Sequence, residues 1–142
     1  MKVIVGSDHG GFNLKNTIVS ELKEKGVDIT DFGPGSDDSV DYPDFAKPLA
    51  EKVAAGEYDK GILICGTGIG MSISANKVKG IRCALVHDTF SARATREHND
   101  SNILAMGERV IGKGLASDIV DIWLNTEFEG GRHEKRVRKI EE

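Results

Sequence analysis

Short apolar runs and helix-spaced apolar positions alternate along this chain from end to end. Lys2–Gly6 (KVIVG) is a buried-type run closed by glycine and predicts a first strand. Leu14, Ile18 and Leu22 then recur four apart, the spacing of one helical face, with Gly26 as the stop. Asp28–Phe32 predicts a second strand whose polar content places it near a sheet edge. Gly33–Asp41 (GPGSDDSVD) is turn chemistry, with Pro, Gly, Ser and Asp together. Phe45, Leu49 and Val53 mark the next helix, and Pro43 stands near its start. Gly61–Ile64 predicts a third strand, and Met71–Lys77 a helix beyond a glycine loop. Arg82–Val86 predicts a fourth strand, and Asp88 the N-cap of a helix reaching about His98. Ile103–Met106 predicts a fifth strand. Leu115, Ile119 and Ile122 predict a further helix, and a last one begins near Arg132.

Five strands separated by helices imply a parallel sheet covered on both faces, an α/β sandwich. There is no internal repeat, low-complexity tract or long linker, so residues 1–142 are expected to form a single domain. Composition agrees: 39% of residues are hydrophobic and 30% charged, the balance of a globular protein. The net charge of −4 argues against wholesale binding to nucleic acid. No segment is apolar for long enough to span a bilayer. Met1 and Lys2 lead straight into the first strand, so no signal peptide is expected. Two cysteines do not make a disulfide framework. The expectation is a soluble cytoplasmic protein with neither membrane nor nucleic-acid partner.

In such sheets ligands bind beyond the carboxyl ends of the strands. Three predicted loops there carry chemical side chains: Ser7 to Gly11, Cys65 to Gly70, and His87-Asp88. The most distinctive is Cys65-Gly66-Thr67-Gly68-Ile69-Gly70, where a buried strand delivers a thiol to a turn rich in open backbone N–H groups. A helix N-terminus favours negative charge, which suits a thiolate or an oxyanion. The dinucleotide fingerprint G-x-G-x-x-G fails, because Met71 stands where the third glycine belongs. Gly6 and Gly11 are spaced like the glycines of a P-loop, but Phe12 and Asn13 replace the required Lys and Ser or Thr. A generic phosphate or oxyanion loop survives. A thiol there serves as nucleophile or general base, and the residues alone do not choose between them.

Cys83 lies within the fourth strand, where structural burial is expected. Asp8-His9 could cap the following helix, and His98-Asn99 could close another. A metal site from His9, His87, His98 and Cys65 lacks the close paired spacing of known sites. Arg132 and Arg136 are four apart, so they share one helical face and could clamp a phosphate, while Val137 and Ile140 pack on another. Arg109 is a further cation near the predicted rim.

At these positions the chain closely resembles the type B ribose-5-phosphate isomerases, in the family shared with galactose-6-phosphate isomerase. The resemblance runs over essentially the whole chain. It rests on Gly6-Ser7-Asp8-His9-Gly10-Gly11, Asp41-Tyr42-Pro43-Asp44, Cys65 to Gly70, His98-Asn99, Gly107-Glu108-Arg109, and the terminal Arg132 and Arg136. It implies interconversion of ribose 5-phosphate and ribulose 5-phosphate, a step of the pentose phosphate pathway, without metal or organic cofactor. It implies Cys65 as the base moving a proton between C2 and C1 through a cis-enediolate, and the N–H groups of Gly66, Thr67, Gly68, Ile69 and Gly70 as the oxyanion cradle. It implies His98 for opening the furanose ring, with Asp8 and Thr67 beside it. His9, Arg132 and Arg136 match phosphate-binding positions, and Asn99 and Arg109 further substrate contacts. One branch of the family replaces the cysteine with a glutamate four positions on; here that position is Ile69. The implied fold is a three-layer α/β/α sandwich on a five-stranded parallel, Rossmann-like sheet. The implied assembly is a homodimer or homotetramer whose active sites are shared between subunits. Isomerases of six-carbon sugar phosphates (allose 6-phosphate or galactose 6-phosphate) share most of these motifs, and a non-catalytic sugar-phosphate sensor is the alternative from another class.

Overall fold

The computed structural model describes residues 1–142 and contains five strands and six helices. The strands are β1 (Lys2–Ser7), β2 (Asp28–Gly33), β3 (Lys60–Cys65), β4 (Cys83–Leu85) and β5 (Ile103–Gly107). The helices are α1 (Phe12–Glu24), α2 (Pro43–Ala54), α3 (Ile69–Ala75), α4 (Thr89–Asn99), α5 (Lys113–Asn125) and α6 (Arg132–Glu141). All strands run parallel, in the order β2-β1-β3-β5-β4.

The strands that read as continuous apolar runs are the interior ones. Val3, Ile4 and Val5, then Ile62 to Ile64, then Ile103 to Met106 are wholly buried, because helices cover both faces. One apolar layer joins the sheet to α1, α4 and α5 through residues such as Val5, Ile18, Ala92, Leu104 and Trp123. The other joins it to α2 and α3 through Ile4, Leu49, Val53, Leu63 and Met71. The expected α/β/α sandwich is therefore present. No helix is long and apolar enough to cross a membrane.

Edge strands differ from the core as their sequences predict. β2 is half-exposed and pairs with β1 alone. It gains an unexpected anchor: Lys15, on α1 and only 1% exposed, donates to both Asp31 carboxylate oxygens at 2.9 and 3.0 Å. β4 is shorter than the Arg82–Val86 expected and forms the opposite edge. Cys83 packs against the α2–α3 layer, and burial pushes its thiol up to about 12. In α5 the buried face is turned from the one predicted. Ala116, Ile119, Val120 and Trp123 face inward, while Leu115 is exposed.

The order β2-β1-β3 makes the junction of β1 and β3 a switch point, where the chain leaves in opposite directions and opens a crevice. Parallel register sets Ser7 beside Ile64, and Cys65 beside Gly107. The loops after β1, β3 and β5 therefore meet at one rim.

Candidate functional site

The loop after β3 is held from two sides. Glu108 N–H donates to Cys65 O at 2.9 Å, and Arg109 N–H to Gly66 O at 3.1 Å, fixing the β5 loop against it. Glu108 then spends its carboxylate on α1, accepting from Leu14 N–H at 2.6 Å. On the other side Asp8 N–H donates to Ile64 O at 3.2 Å. Backbone, rather than flexible side chains, thus sets the position of the thiol.

Cys65 is 5% exposed, and its Sγ accepts from Gly68 N–H at 3.0 Å. Gly68 has φ +78°, the left-handed region, and a Cβ there would lie 2.8 Å from the carbonyl carbon of Met106. Only glycine turns the chain so tightly that the amide points back at the sulfur. Thr67 Oγ1 accepts from Ile69 N–H at 3.2 Å, opening α3. The sulfur lies at an open hollow of about 410 Å³ lined by Asp8, Tyr42, Cys65, Gly66, Thr67 and Gly70, with Ile69 and Ile73 at its edge.

Asp8 serves two ends: it caps the 3-10 turn His9–Gly11 by accepting from Gly10 N–H at 2.9 Å, and it lines the hollow. His9 is exposed, and its Nδ1 accepts from Val40 N–H at 3.2 Å, which leaves the other edge of its ring free. The Arg109 side chain lies over Gly66, within about 4 Å of where a Cβ would stand. Tyr42 stands in the Asp41-Tyr42-Pro43-Asp44 motif, but the sequence assigns it no role at the site. Its ring closes one wall, so near Gly70 that a Cβ would meet it at 2.6 Å. The available signal was the aromatic residue directly before the Pro43 helix start.

The remaining expected residues lie elsewhere. In a parallel sandwich a helix following a strand runs back toward the strands' amino ends. α4 does so over eleven residues, roughly 16 Å of rise. Asp88 caps its start, accepting from Ser91 N–H at 2.6 Å, and His98 and Asn99 close its other end, just before β5 begins. The helix end does not fold back to the thiol's rim. His98 stacks instead on His133 of α6, with ring centres 4.4 Å apart. Arg132 and Arg136 are both exposed on the same α6, Val137 is half-buried, and Ile140 stays exposed.

His87 is not a free group at the rim. Its Nε2 accepts from Gly107 N–H at 2.9 Å, bracing the end of β5. Burial holds the ring below its ordinary 6.5, and Asp88 opposes that only in part. His9, His87, His98 and Cys65 do not gather into a metal site; the cluster of ligating side chains in the molecule is His98, Glu129 and His133.

Chemically, the rim offers a sulfur, a carboxylate, a hydroxyl and several unblocked amides around one hollow. The α4–α6 corner offers an imidazole, an amide and two guanidinium groups.

The sequence profile of the Ribose/Galactose Isomerase family matches residues 3–140. The candidate sugar phosphate isomerase YwlF of Bacillus subtilis is 67% identical over 99% of this chain and 95% of its own length. Ribose-5-phosphate isomerase B of Escherichia coli is 52% identical over 98% and 93%. D-erythrulose-4-phosphate isomerase of Pectobacterium atrosepticum is 46% identical over 99% and 93%. Among solved structures, ribose-5-phosphate isomerase B of Clostridium thermocellum superposes with a TM-score of 0.98 at 59% identity, covering 99% of this chain and 95% of that one. The Mycoplasma genitalium enzyme, with bound ribulose-5-phosphate, gives 0.95 at 43% identity, covering 99% and 93%.

Proposed function

The chain belongs to the ribose/galactose isomerase family, and on that premise we propose that it interconverts ribose 5-phosphate and ribulose 5-phosphate with Cys65 as the base. The observation that carries the reading is the sulfur at the hollow, met by the Gly68 amide at 3.0 Å. Phosphate recognition alone needs no such group, which separates this reading from that of a sugar-phosphate sensor.

In the proposed reaction the open-chain aldose lies in the hollow with C2 beside the sulfur. The thiolate takes the C2 proton, and the electron pair moves through C1 to its carbonyl oxygen, giving the cis-enediolate. Amides of the Gly66–Gly70 loop share the developing charge, apart from those of Gly68 and Ile69, which bond Cys65 Sγ and Thr67 Oγ1; such a donor is worth about 3 kcal/mol where measured. The same sulfur returns the proton at C1 while the O2 proton is passed on to O1, and the ketose forms. Asp8 and Thr67 stand where they can exchange the hydroxyl protons. His98 opens the furanose, His9, Arg132 and Arg136 hold the phosphate, and Asn99 and Arg109 contact the sugar.

The separation of the two halves across α4 supports a homodimer, alone or paired into a tetramer, in which His98, Asn99, Arg132 and Arg136 come from a second copy. Apolar side chains left exposed around the hollow and near the start of α4 support it too: Tyr42, Ile69, Ile73 and Phe90. The proposal takes residues 1–142 as one isomerase domain working in the cytoplasm, where free thiols stay reduced.

The test is a coupled assay of the pure protein with ribose 5-phosphate and a chelator present. Turnover is expected, and Cys65→Ala is expected to lose about a thousandfold in kcat while still binding the sugar phosphate. Full activity in that variant refutes the base, and binding without hydrogen exchange at C2 favours the sensor. Comparing kcat/KM for ribose 5-phosphate, allose 6-phosphate, galactose 6-phosphate and erythrulose 4-phosphate fixes the preferred chain length.

A further inference from the structure

Where α4 ends against α6, three side chains able to ligate a metal converge. Glu129 Oε1 is 3.7 Å from His98 Nε2 and 3.5 Å from His133 Nε2. Both imidazoles thus present the same ring nitrogen to the same oxygen. Their rings stack at 18° to one another, and all the ligand atoms lie within 4.8 Å. The ring-opening role of His98 leaves Glu129 and His133 without a task.

We propose that His98, Glu129 and His133 form a binding site for a zinc-type dication, and that zinc held there withdraws His98 from sugar chemistry. Zinc binds imidazole nitrogen and carboxylate oxygen at about 2.0–2.2 Å, so donors around a tetrahedral ion stand roughly 3.3 Å apart. The two His-to-Glu separations are already within a few tenths of an ångström of that. For one ion to lie in both ring planes the stack must open, and His98, with 46% of its side chain exposed, is free to turn its ring so that both nitrogens face the ion.

His133 is the fixed member. It is 7% exposed, and desolvation, with His98 and Arg132 nearby, holds it below its ordinary 6.5. Glu129 is placed by its own backbone, whose N–H donates to Glu97 O at 3.2 Å. Two imidazoles and one carboxylate with an open fourth position are a recognised zinc donor set. Imidazole donors also disfavour magnesium and calcium, which prefer all-oxygen ligands. Arg132 and Arg136 oppose a cation here, so the fourth position suits an anion or hydroxide better than a neutral ligand. The effect on turnover rests on the isomerase reading of His98; metal binding does not.

The experiment titrates metal-free protein with zinc against a chromogenic chelator, with no sugar present. One zinc per chain is expected, with affinity falling about tenfold or more in Glu129→Gln and in His98→Asn, both at exposed side chains. Cobalt in place of zinc is expected to give visible d–d bands without a thiolate charge-transfer band. Absence of binding, unchanged affinity in both variants, or a thiolate band assigning the metal to Cys65 or Cys83 overturns the site. With ribose 5-phosphate added, zinc is expected to inhibit the wild type reversibly, and Glu129→Gln to resist over the same range. Zinc bound at full occupancy with undiminished turnover overturns the inhibitory half. If no sugar phosphate is turned over, the isomerase reading fails while the titration still decides the site.

Discussion

The rim around Cys65 and the corner around His98 carry comparable chemistry but are built by opposite means. At the rim, three strand ends placed side by side lock the loops through backbone hydrogen bonds, and the sulfur is 5% exposed. At the corner, the groups stand on the surfaces of two helices, and Arg132, Arg136 and His98 are exposed. A site that must steer a proton needs placement to fractions of an ångström. A site that captures a phosphate works with long cationic side chains that become ordered on binding. The rim is therefore locked in place within the chain, whereas at the corner the hollow of about 270 Å³ between α4 and α6 reaches Asn99 but not His98, Arg132 or Arg136.

Separating rim and corner onto two different chains gives the largest expected effect. Cys65→Ala and His98→Asn are each expected to be nearly inactive. Coexpressed, they restore about a quarter of wild-type turnover if sites are shared across a two-fold axis, because half the dimers are mixed and each has one intact site. No recovery in verified mixed dimers confines the site to one chain.

Gly68→Ala attacks the rim's rigidity. A side chain at φ +78°, and 2.8 Å from the Met106 carbonyl carbon, is expected to cost about 1–3 kcal/mol in denaturant unfolding and to slow turnover sharply. Unchanged stability and rate would show that the loop tolerates another path. Arg136→Ala tests the corner, which has no fold to lose there. A rise in KM of about tenfold is expected with an unaltered melting temperature, as for one charge-assisted hydrogen bond. A matching loss of kcat alone would place the arginine at the reacting carbons instead.

The smallest effect is on stability against pH. His87 and His133 are both held below 6.5 in the folded chain, His87 by burial and by accepting from Gly107 N–H. As pH falls below 6.5 the unfolded chain takes up protons that the native one refuses, so stability declines until the folded values are passed. Unfolding free energy is expected to drop modestly between neutral pH and about pH 5. His87→Gln, which keeps an acceptor, is expected to flatten part of that slope.

The layers were legible because periodicity reports burial directly: continuous apolar runs for β1, β3 and β5, and four-residue spacing for α1 and α2. The polar β2 was rightly expected at an edge, yet its anchor was not visible, since Lys15 reads as a solvent residue until Asp31 is found beside it. Leu115 misled because Ala116, one position on, is small enough to face the core. The rim of the site was legible from glycine spacing and Cys65. Tyr42 against Gly70, and Glu129 and His133 against His98, were not, because they are contacts between elements distant in sequence. The direction of α4 follows from topology rather than from any motif: a helix after a parallel strand must travel away from the strand's carboxyl end.

That direction of travel has a consequence for mass action. On the proposed two-copy site, with the imidazole on α4's far end and the thiol on the rim, turnover per molecule becomes a property of the population: dilution that parts the two copies is expected to extinguish it without unfolding anything.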